Sequence, residues 1–290
     1  MEWLGIIAAL ASAASWAFGT VVFERIGKAI PYAGITFLKS LFSVILMFVL
    51  VVTIGDFKTI SLHDAIILIG SGIIGIAIGD TLFFKSLQDL GAKVQVLYFM
   101  LGQVVTMLLS FLLLGDILSI EEYIGATILL FGIVVVTWGK QEDHPNKTRG
   151  IIGGFLSILC FSVSTIMIKY TKEQIDVVSA SFYRMLAGTV IMMLVGTTTH
   201  SIKSWTEPLK SKKLFALFLL NVFVITVGGF ILSMFAIKTI SVSLASILST
   251  TEPVFVLLLA FLINHERVCR RELVGAIISI FGLLIIMLHE

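Results

Sequence analysis

Long apolar runs separated by short polar breaks constrain this chain more than any other feature of its sequence. A helix needs roughly 20 mostly apolar residues to cross the hydrocarbon core of a bilayer. Half-buried strands differ, because they alternate apolar and polar residues over a few positions. The sequence therefore predicts an all-α membrane protein with ten transmembrane helices, over residues 3–23, 32–54, 65–85, 92–114, 120–138, 151–169, 177–199, 213–236, 242–264 and 272–288.

The composition excludes most other classes of protein. Hydrophobic residues make up 58% of the 290 and charged residues only 13%, with a mean hydropathy of +1.08, whereas soluble domains carry roughly a quarter charged residues. The net charge of +2 provides no basic surface for nucleic acid. The two cysteines, Cys160 and Cys269, give neither a disulfide framework nor a metal-binding pattern, so we expect no metal and no other cofactor.

The positive charges fall mainly in alternate connections between the predicted helices. Two of the 20 lysines and arginines lie inside helices, and 14 follow odd-numbered helices. The four that follow even-numbered helices are Lys58, Lys169, Lys172 and Lys238. Because cytoplasmic loops are enriched in Lys and Arg, this distribution predicts cytoplasmic odd-numbered connections and extracytoplasmic termini.

The chain matches itself when it is shifted by about half its length. The tail of each half aligns at a shift of 150 residues, and the earlier part aligns at 145. The matched pairs include Asp116 with Glu266, Glu122 with Glu272, Gly125 with Gly275, Gly132 with Gly282, Ser12 with Ser157, and Lys39 with Arg184.

This repeat predicts two homologous five-helix units, residues 1–139 and 150–290, joined by a linking loop at 140–149. Since five is odd, the second unit enters the membrane upside down relative to the first. Inverted repeats are typical of secondary transporters, whose substrate site lies near the midplane between the repeats. We expect a cavity there, lined by helices 1, 3, 4, 6, 8 and 9.

Several short motifs carry a family resemblance over nearly the whole chain. They are Ser15-Trp16 in the first helix, the basic Lys39 and Arg184 early in helices 2 and 7, TTEPVFVLLLA in helix 9, and the tails LGDILSIEEYIGATILLFGIVV and INHERVCRRELVGAIISIFGLLII. Together they resemble the drug/metabolite transporter superfamily, specifically its EamA-type transporters with ten helices. The first half departs from the pattern, with Gly102-Gln103 where the second has Glu252-Pro253.

The resemblance implies a function and an orientation. It implies export of amino acids or related metabolites. The expected partners are a small-molecule substrate and the lipid bilayer of the plasma membrane, with a proton as the candidate coupling ion. It also implies cytoplasmic termini, which conflicts with the charge distribution. Oligomeric state, substrate and the direction of transport do not follow from the residues.

Four ionisable side chains fall inside predicted helices: Lys39, Asp80, Arg184 and Glu252. Charges at such depth almost always face a bundle interior or a wet cavity, and they pair with one another. Glu252 is either an interhelical clamp to Arg184 or Lys39, or a participant in substrate or proton handling. Asp80 is open to the same two interpretations, and either acid is a candidate to carry a coupling proton because low-dielectric surroundings favour a neutral carboxyl group.

Neighbouring residues extend the candidate site. Pro253 cannot donate a backbone hydrogen bond, so we predict a helix kink there whose freed carbonyls line a cavity. The softer candidates for substrate contact are Trp16, Gln95, Tyr98, Gln103 and Asn221. Tyr98 and Gln103 are equally suited to hydrogen bonds between helices.

Other functional classes fit the sequence less well. All five histidines lie in connections or at the chain end, which does not suit an intramembrane metalloprotease. An aspartyl-type protease needs two carboxylates, and the lone Asp80 in IGD does not form that pair. No nucleotide-binding loop of the form GxxxxGK[ST] occurs, so active transport must draw on a gradient. A channel or a non-transporting membrane scaffold remains the alternative to a transporter.

Overall fold

The structure is a computed structural model that describes residues 2–54, 60–114, 120–137, 146–171, 177–239, 248, 251–265 and 269–287. Every regular element within these residues is helical, as the apolar runs predict. In the first half these are α1 (Glu2–Ile26), α2 (Tyr32–Ile54), α3 (Leu62–Gly72), a π-helical segment (Ile73–Asp80), α4 (Thr81–Leu90), α5 (Ala92–Leu114) and α6 (Ile120–Thr137).

The second half repeats much of this order. Its elements are α7 (Lys147–Lys169), α8 (Val177–Thr198), the short α9 (Ile202–Thr206) followed by a 3₁₀ turn (Glu207–Lys210), α10 (Lys212–Phe223), a second π-helical segment (Val224–Ile231), α11 (Leu232–Thr239), α12 (Glu252–Asn264) and α13 (Arg270–Met287). The two π-helical segments each lie in the middle of a continuous helix, and their starting residues are separated by about the length of the sequence repeat.

Within the described residues, six helical stretches are long and apolar enough to cross a membrane. They are Trp3–Ile26, Tyr32–Thr53, Leu62–Leu90, Lys147–Ile168, Val178–Thr198 and Lys212–Gly229. Shorter apolar stretches occur at Tyr123–Gly132 and Glu252–Ile263. The chain is therefore an all-helical, multi-pass membrane protein.

The large apolar side chains divide between an interior and an outer surface. Phe23 is buried between Phe84 and Phe218, with ring centroids 4.9 and 5.9 Å apart and both pairs edge to face. Conversely, Phe48 on α2 and Val190 on α8 are about half exposed, at 49% and 48%. Apolar side chains that face outward from the middle of an apolar helix are covered by lipid in a bilayer.

Helices α6 and α13 approach closely through reciprocal glycine contacts. A Cβ atom added to Gly132 would lie 2.7 Å from the carbonyl oxygen of Gly275, and one added to Gly282 would lie 2.6 Å from that of Gly125. Residue numbers rise along one helix as they fall along the other, so the two helices are antiparallel. Small residues permit this close approach of the two backbones. Because Gly132 meets Gly275 in the same way that Gly282 meets Gly125, a local two-fold axis relates α6 and α13.

Candidate functional site

An ion pair lies inside the helix bundle, between α2 and the first π-helical segment. Lys39 Nζ lies 2.6 Å from Asp80 Oδ2, and the two side chains are only 14% and 11% exposed. The same ammonium group lies 5.6 Å from the centroid of the Phe84 ring, in a cation–π contact. The structure thus brings together two of the four ionisable residues that the sequence places inside helices.

A first cavity of about 220 Å³ lies on one side of this ion pair. Its lining combines the ion pair and Arg184 with apolar and hydroxyl side chains. The lining residues are Trp16, Lys39, Ser43, Met47, Gly75, Ile76, Asp80, Phe161, Ser181, Arg184, Met185, Ile225 and Thr226. We call this the Arg184 cavity.

A second cavity of about 320 Å³ contacts the same ion pair and contains Glu252. It extends toward the end of α1 and the beginnings of α4 and α5, and six of its fifteen lining residues are aromatic. The lining residues are Ser12, Ala13, Trp16, Thr20, Phe23, Lys39, Asp80, Phe83, Phe84, Val96, Phe99, Phe161, Ile225, Ser233 and Glu252. We call this the Glu252 cavity.

The two cavities meet at five shared residues: Trp16, Lys39, Asp80, Phe161 and Ile225. The ion pair and two aromatic rings therefore separate one compartment from the other. The two rings also occupy corresponding positions, because Trp16 falls on Phe161 at a shift of 145 residues. A Cβ atom added to Gly229 would lie 2.9 Å from the Trp16 ring, and one added to Gly79 would lie 3.0 Å from the Phe161 ring.

Arg184 lies on α8 and forms no ion pair within the described part of the chain, although the Asp80 carboxylate attracts it at longer range. Its Nη2 donates a hydrogen bond to Ser164 Oγ at 3.0 Å. Its Nε is buried and makes no hydrogen bond with any described residue. In the hydrocarbon interior such a cation requires a counter-charge or water. The cavity that Arg184 lines has room for either of them.

Glu252 is the first residue of α12 and faces the Glu252 cavity. Its side chain is half-buried, and it forms no ion pair with the residues that the structure describes. A carboxylate at a helix N-terminus is stabilised by the helix dipole, which partly explains how this acid is tolerated. The structure shows no clamp from Glu252 to Arg184 or Lys39, and Lys39 is already engaged by Asp80.

Pro253 lies in the first turn of α12, where a missing backbone donor costs nothing. Thr251 is the N-cap, and its Oγ1 donates to the carbonyl of Leu248 at 2.6 Å. Because residues 249 and 250 lie outside the described part of the chain, a kink at Pro253 stays a prediction. The observed feature is that a helix begins at Glu252, beside the cavity.

Of the softer candidates, Trp16 lines both cavities, whereas Gln95, Tyr98 and Asn221 line neither. The Tyr98 ring on α5 packs against Gly154 on α7, where a Cβ atom would lie 3.1 Å from it. Asn221 is fully buried, and its Nδ2 donates to the carbonyl of Gly19 at 3.2 Å. Gln103 lies within α5, but its side chain is outside the described residues. Tyr98 and Asn221 therefore contact other helices rather than either cavity.

The structure adds residues that the sequence analysis did not single out. Helices α2 and α8 line the Arg184 cavity, although the expected lining omitted helices 2 and 7. Each of these helices carries one of the basic candidate residues, Lys39 on α2 and Arg184 on α8, and this already indicated that both helices line the site. The hydroxyls of Ser43, Ser181, Thr226 and Ser233 were also missed, because serine and threonine are common in membrane helices and carry no distinguishing pattern.

The chemistry of this arrangement is that of binding rather than bond cleavage. Each cavity combines a mostly apolar wall with a few polar groups that fix orientation, which is typical of small-molecule sites. Within the described ranges, no group of three or more His, Cys, Asp and Glu side chains is placed to hold a metal ion. The unmatched charges, Arg184 and Glu252, lie in different compartments.

Comparison with known proteins gives consistent results. A sequence profile described as the EamA-like transporter family matches residues 3–138 and again residues 148–288. An uncharacterized transporter from Archaeoglobus fulgidus is 25% identical over 287 residues, which cover 98% of both chains. The uncharacterized transporter YyaM from Bacillus subtilis is 24% identical over 265 residues, 89% of this chain and 85% of the relative.

A solved crystal structure of another protein shares the fold. It superposes with a TM-score of 0.65 at 15% sequence identity, and the match covers 97% of this chain and 96% of that one. At this level of identity the likeness concerns architecture alone. With the family profile matched across nearly the entire sequence, the chain belongs to the EamA-like transporter family and is a membrane transporter.

Proposed function

We propose that this protein is a secondary active transporter that exports a small polar metabolite, an amino acid or a related compound, across the plasma membrane by alternating access. The observation that carries the proposal is the arrangement around the Lys39–Asp80 ion pair. Two cavities meet at this pair inside an apolar bundle, and each contains one unmatched charge. A site enclosed between two compartments is what alternating access requires.

The proposed architecture is ten transmembrane helices arranged as two inverted five-helix repeats, residues 1–139 and 150–290. Three observations support it. The family profile matches once in each half. The α6–α13 contact is reciprocal and antiparallel, and the two glycines that make it, Gly132 and Gly282, are 150 residues apart. The π-helical segments occur at corresponding places in the two halves.

The proposed coupling ion is a proton carried by Glu252 or Asp80. The sequence contains no nucleotide-binding loop, so a gradient is the available energy source. Glu252 is the stronger candidate, because Asp80 is already neutralised by Lys39 whereas Glu252 has no described partner. A carboxyl group inside the membrane that alternates between charged and neutral forms is the usual carrier in proton-linked transport.

The test is flux through the purified protein in proteoliposomes. A thermal-shift screen against metabolites identifies a ligand, and its flux is then measured with and without a pH gradient. We expect saturable flux in the wild type that increases with the gradient. Glu252→Gln should lose the response to the gradient, since glutamine cannot exchange a proton.

Each rival class gives a different result in the same vesicles. A channel gives ionic conductance without saturation, an enzyme gives a chemically changed product, and a scaffold gives no flux. Full, gradient-driven transport by Glu252→Gln would remove this residue from the mechanism. Wild-type flux that ignores the pH gradient would disprove proton coupling while leaving the transporter itself intact.

A further inference from the structure

The Arg184 cavity has an excess of positive charge. Its lining contains three ionisable side chains: Lys39, Asp80 and Arg184. Lys39 and Asp80 neutralise each other at 2.6 Å, so the guanidinium of Arg184 is left as a single unmatched cation. An unmatched charge away from water is strongly unfavourable, and one negative charge in the cavity would remove the imbalance.

The Arg184 side chain is held in place, yet its hydrogen-bonding capacity is only partly used. Its Nη2 donates to Ser164 Oγ at 3.0 Å, and Ser164 Oγ lies 2.8 Å from the hydroxyl of Ser71 on α3. This serine pair therefore holds the Nη2 end of the guanidinium in place. The buried Nε has no described acceptor, and a small rotation toward a carboxylate in the cavity would satisfy it in a two-point contact.

The remaining lining decides what kind of anion fits. A dianion would exceed the single positive charge that the cavity has available, which favours a monoanion. The walls are formed largely by Met47, Ile76, Met185 and Ile225, which favour an organic molecule over an inorganic ion. The other polar groups of the lining are three hydroxyl groups, on Ser43, Ser181 and Thr226, and the indole N–H of Trp16.

We propose that the Arg184 cavity binds the carboxylate of a monocarboxylate with an apolar chain, and that Arg184 is the residue that binds it. As a statement about the transported substrate, this inference rests on the function proposed above. As a statement about a binding site, it depends only on the charges and walls of the cavity.

The experiment titrates the purified full-length protein with hexanoate and follows tryptophan fluorescence, because Trp16 lines the cavity. Hexanamide removes the charge, hexylamine reverses it, and adipate doubles it, while the six-carbon chain stays the same. We expect saturable binding of hexanoate, and binding of the other three that is weaker by about tenfold or more. Equal binding of hexanoate and hexanamide would overturn the proposal, as would occupation of the site by chloride but not by hexanoate.

Variants assign the binding to Arg184. Arg184→Gln should weaken hexanoate binding by about 10- to 100-fold, and Arg184→Lys should give an intermediate loss, since lysine keeps the charge without the planar fork. Ser164→Ala should weaken binding less than Arg184→Gln, because it only frees the guanidinium. Arg271→Gln, which removes an exposed arginine at the start of α13, is the control and should bind as the wild type does.

The outcomes separate the binding site from the transport function. Unchanged hexanoate affinity in Arg184→Gln would refute the site, even if the wild type transports in vesicles. Arg184-dependent binding without any flux would support the site and refute the transport function. If Arg184→Gln does not fold, the ranking of Arg184→Lys and Ser164→Ala against Arg271→Gln decides instead, and equal affinities among these three would refute the site.

Discussion

At the scale of single residues, the site is defined by which charges have partners. Lys39 and Asp80 form a nearly buried pair, whereas Arg184 and Glu252 each face a cavity without an ionic partner among the described residues. A paired charge is a structural element, because removing its partner leaves an uncompensated ion. An unmatched charge beside a cavity is available to a ligand or a proton.

We predict that Asp80→Asn destabilises the protein. The substitution leaves the Lys39 ammonium without its counter-charge at a position that is only 14% exposed, which costs about 3–5 kcal/mol of the free energy of unfolding for a buried pair. The measurement is denaturant unfolding in mixed micelles, with wild type and variant compared under the same conditions.

The matched control removes both charges. Lys39→Met combined with Asp80→Leu should recover most of the lost free energy of unfolding, because an apolar pair of similar volume needs no counter-charge. If Asp80→Asn alone costs less than about 1 kcal/mol, the pair is open to water and does not hold the two cavities apart.

The sequence predicted the four intramembrane charges and that such charges pair, but not that Lys39 pairs with Asp80. Their positions follow from apolar runs interrupted by a single charge, which is a local signal. The choice of Asp80 as the partner of Lys39 depends on how α2 and the π-helical segment are rotated toward each other. That rotation is set by packing across the bundle, which one sequence does not record.

At the scale of elements, the helix boundaries were predicted better than the helix geometry. The apolar run at 65–85 is part of a continuous helical stretch from Leu62 to Leu90, and its middle is π-helical. A π-helical turn shifts the following residues around the helix axis and is frequent at functional sites. Apart from the glycines that allow close packing, no local sequence pattern at residues 73–80 predicts this π-helical segment.

We predict that the α6–α13 contact does not tolerate a methyl group. In Gly132→Ala the added Cβ atom would lie 2.5 Å from the backbone nitrogen of Ser279 and 2.7 Å from the carbonyl oxygen of Gly275. Backbone atoms cannot move aside, so we expect a loss of about 1–3 kcal/mol in the free energy of unfolding. Unfolding of the purified variant in micelles measures it.

Gly102→Ala on α5 is the control, since its Cβ atom would meet only Ile158, at an ordinary 3.5 Å. Alanine should be neutral there or stabilise the helix by up to about 1 kcal/mol. Equal effects of the two substitutions would show that the close approach of α6 and α13 does not hold the halves together.

At the scale of the whole molecule, the repeat could be predicted from the sequence because matching residues recur at shifts of 145 and 150 residues. A cavity could be predicted as well, but its division into two compartments could not, since their volumes depend on how side chains from eight helical stretches meet. The orientation is also left open by two signals that disagree. The Lys and Arg distribution favours extracytoplasmic termini, whereas the family resemblance implies cytoplasmic ones.

We predict the orientation from the charge distribution. In a background without Cys160 and Cys269, a membrane-impermeant thiol reagent applied to intact cells should label Lys58→Cys and leave Lys213→Cys unlabelled. In the predicted ten-helix topology Lys58 follows an even-numbered helix and Lys213 an odd-numbered one, so we expect the two positions on opposite sides of the membrane. The reverse labelling would place both termini in the cytoplasm and leave the fold unchanged.

The proposed transporter requires a water-filled passage between two inverted halves, formed by the Arg184 cavity and the Glu252 cavity. Ser181, near the beginning of α8, lines the Arg184 cavity, and Thr20, toward the end of α1, lines the Glu252 cavity. In the ten-helix topology these helix ends lie on opposite sides of the membrane. Val190 on α8 is 48% exposed and lines neither cavity, so it serves as the lipid-facing control.

The most direct test is cysteine labelling at these three positions, with an impermeant thiol reagent applied to right-side-out and inside-out vesicles. We predict that Ser181→Cys and Thr20→Cys react from opposite sides and that Val190→Cys reacts from neither. Failure of Ser181→Cys and Thr20→Cys to react from any side, or equal reactivity of Val190→Cys, would contradict it.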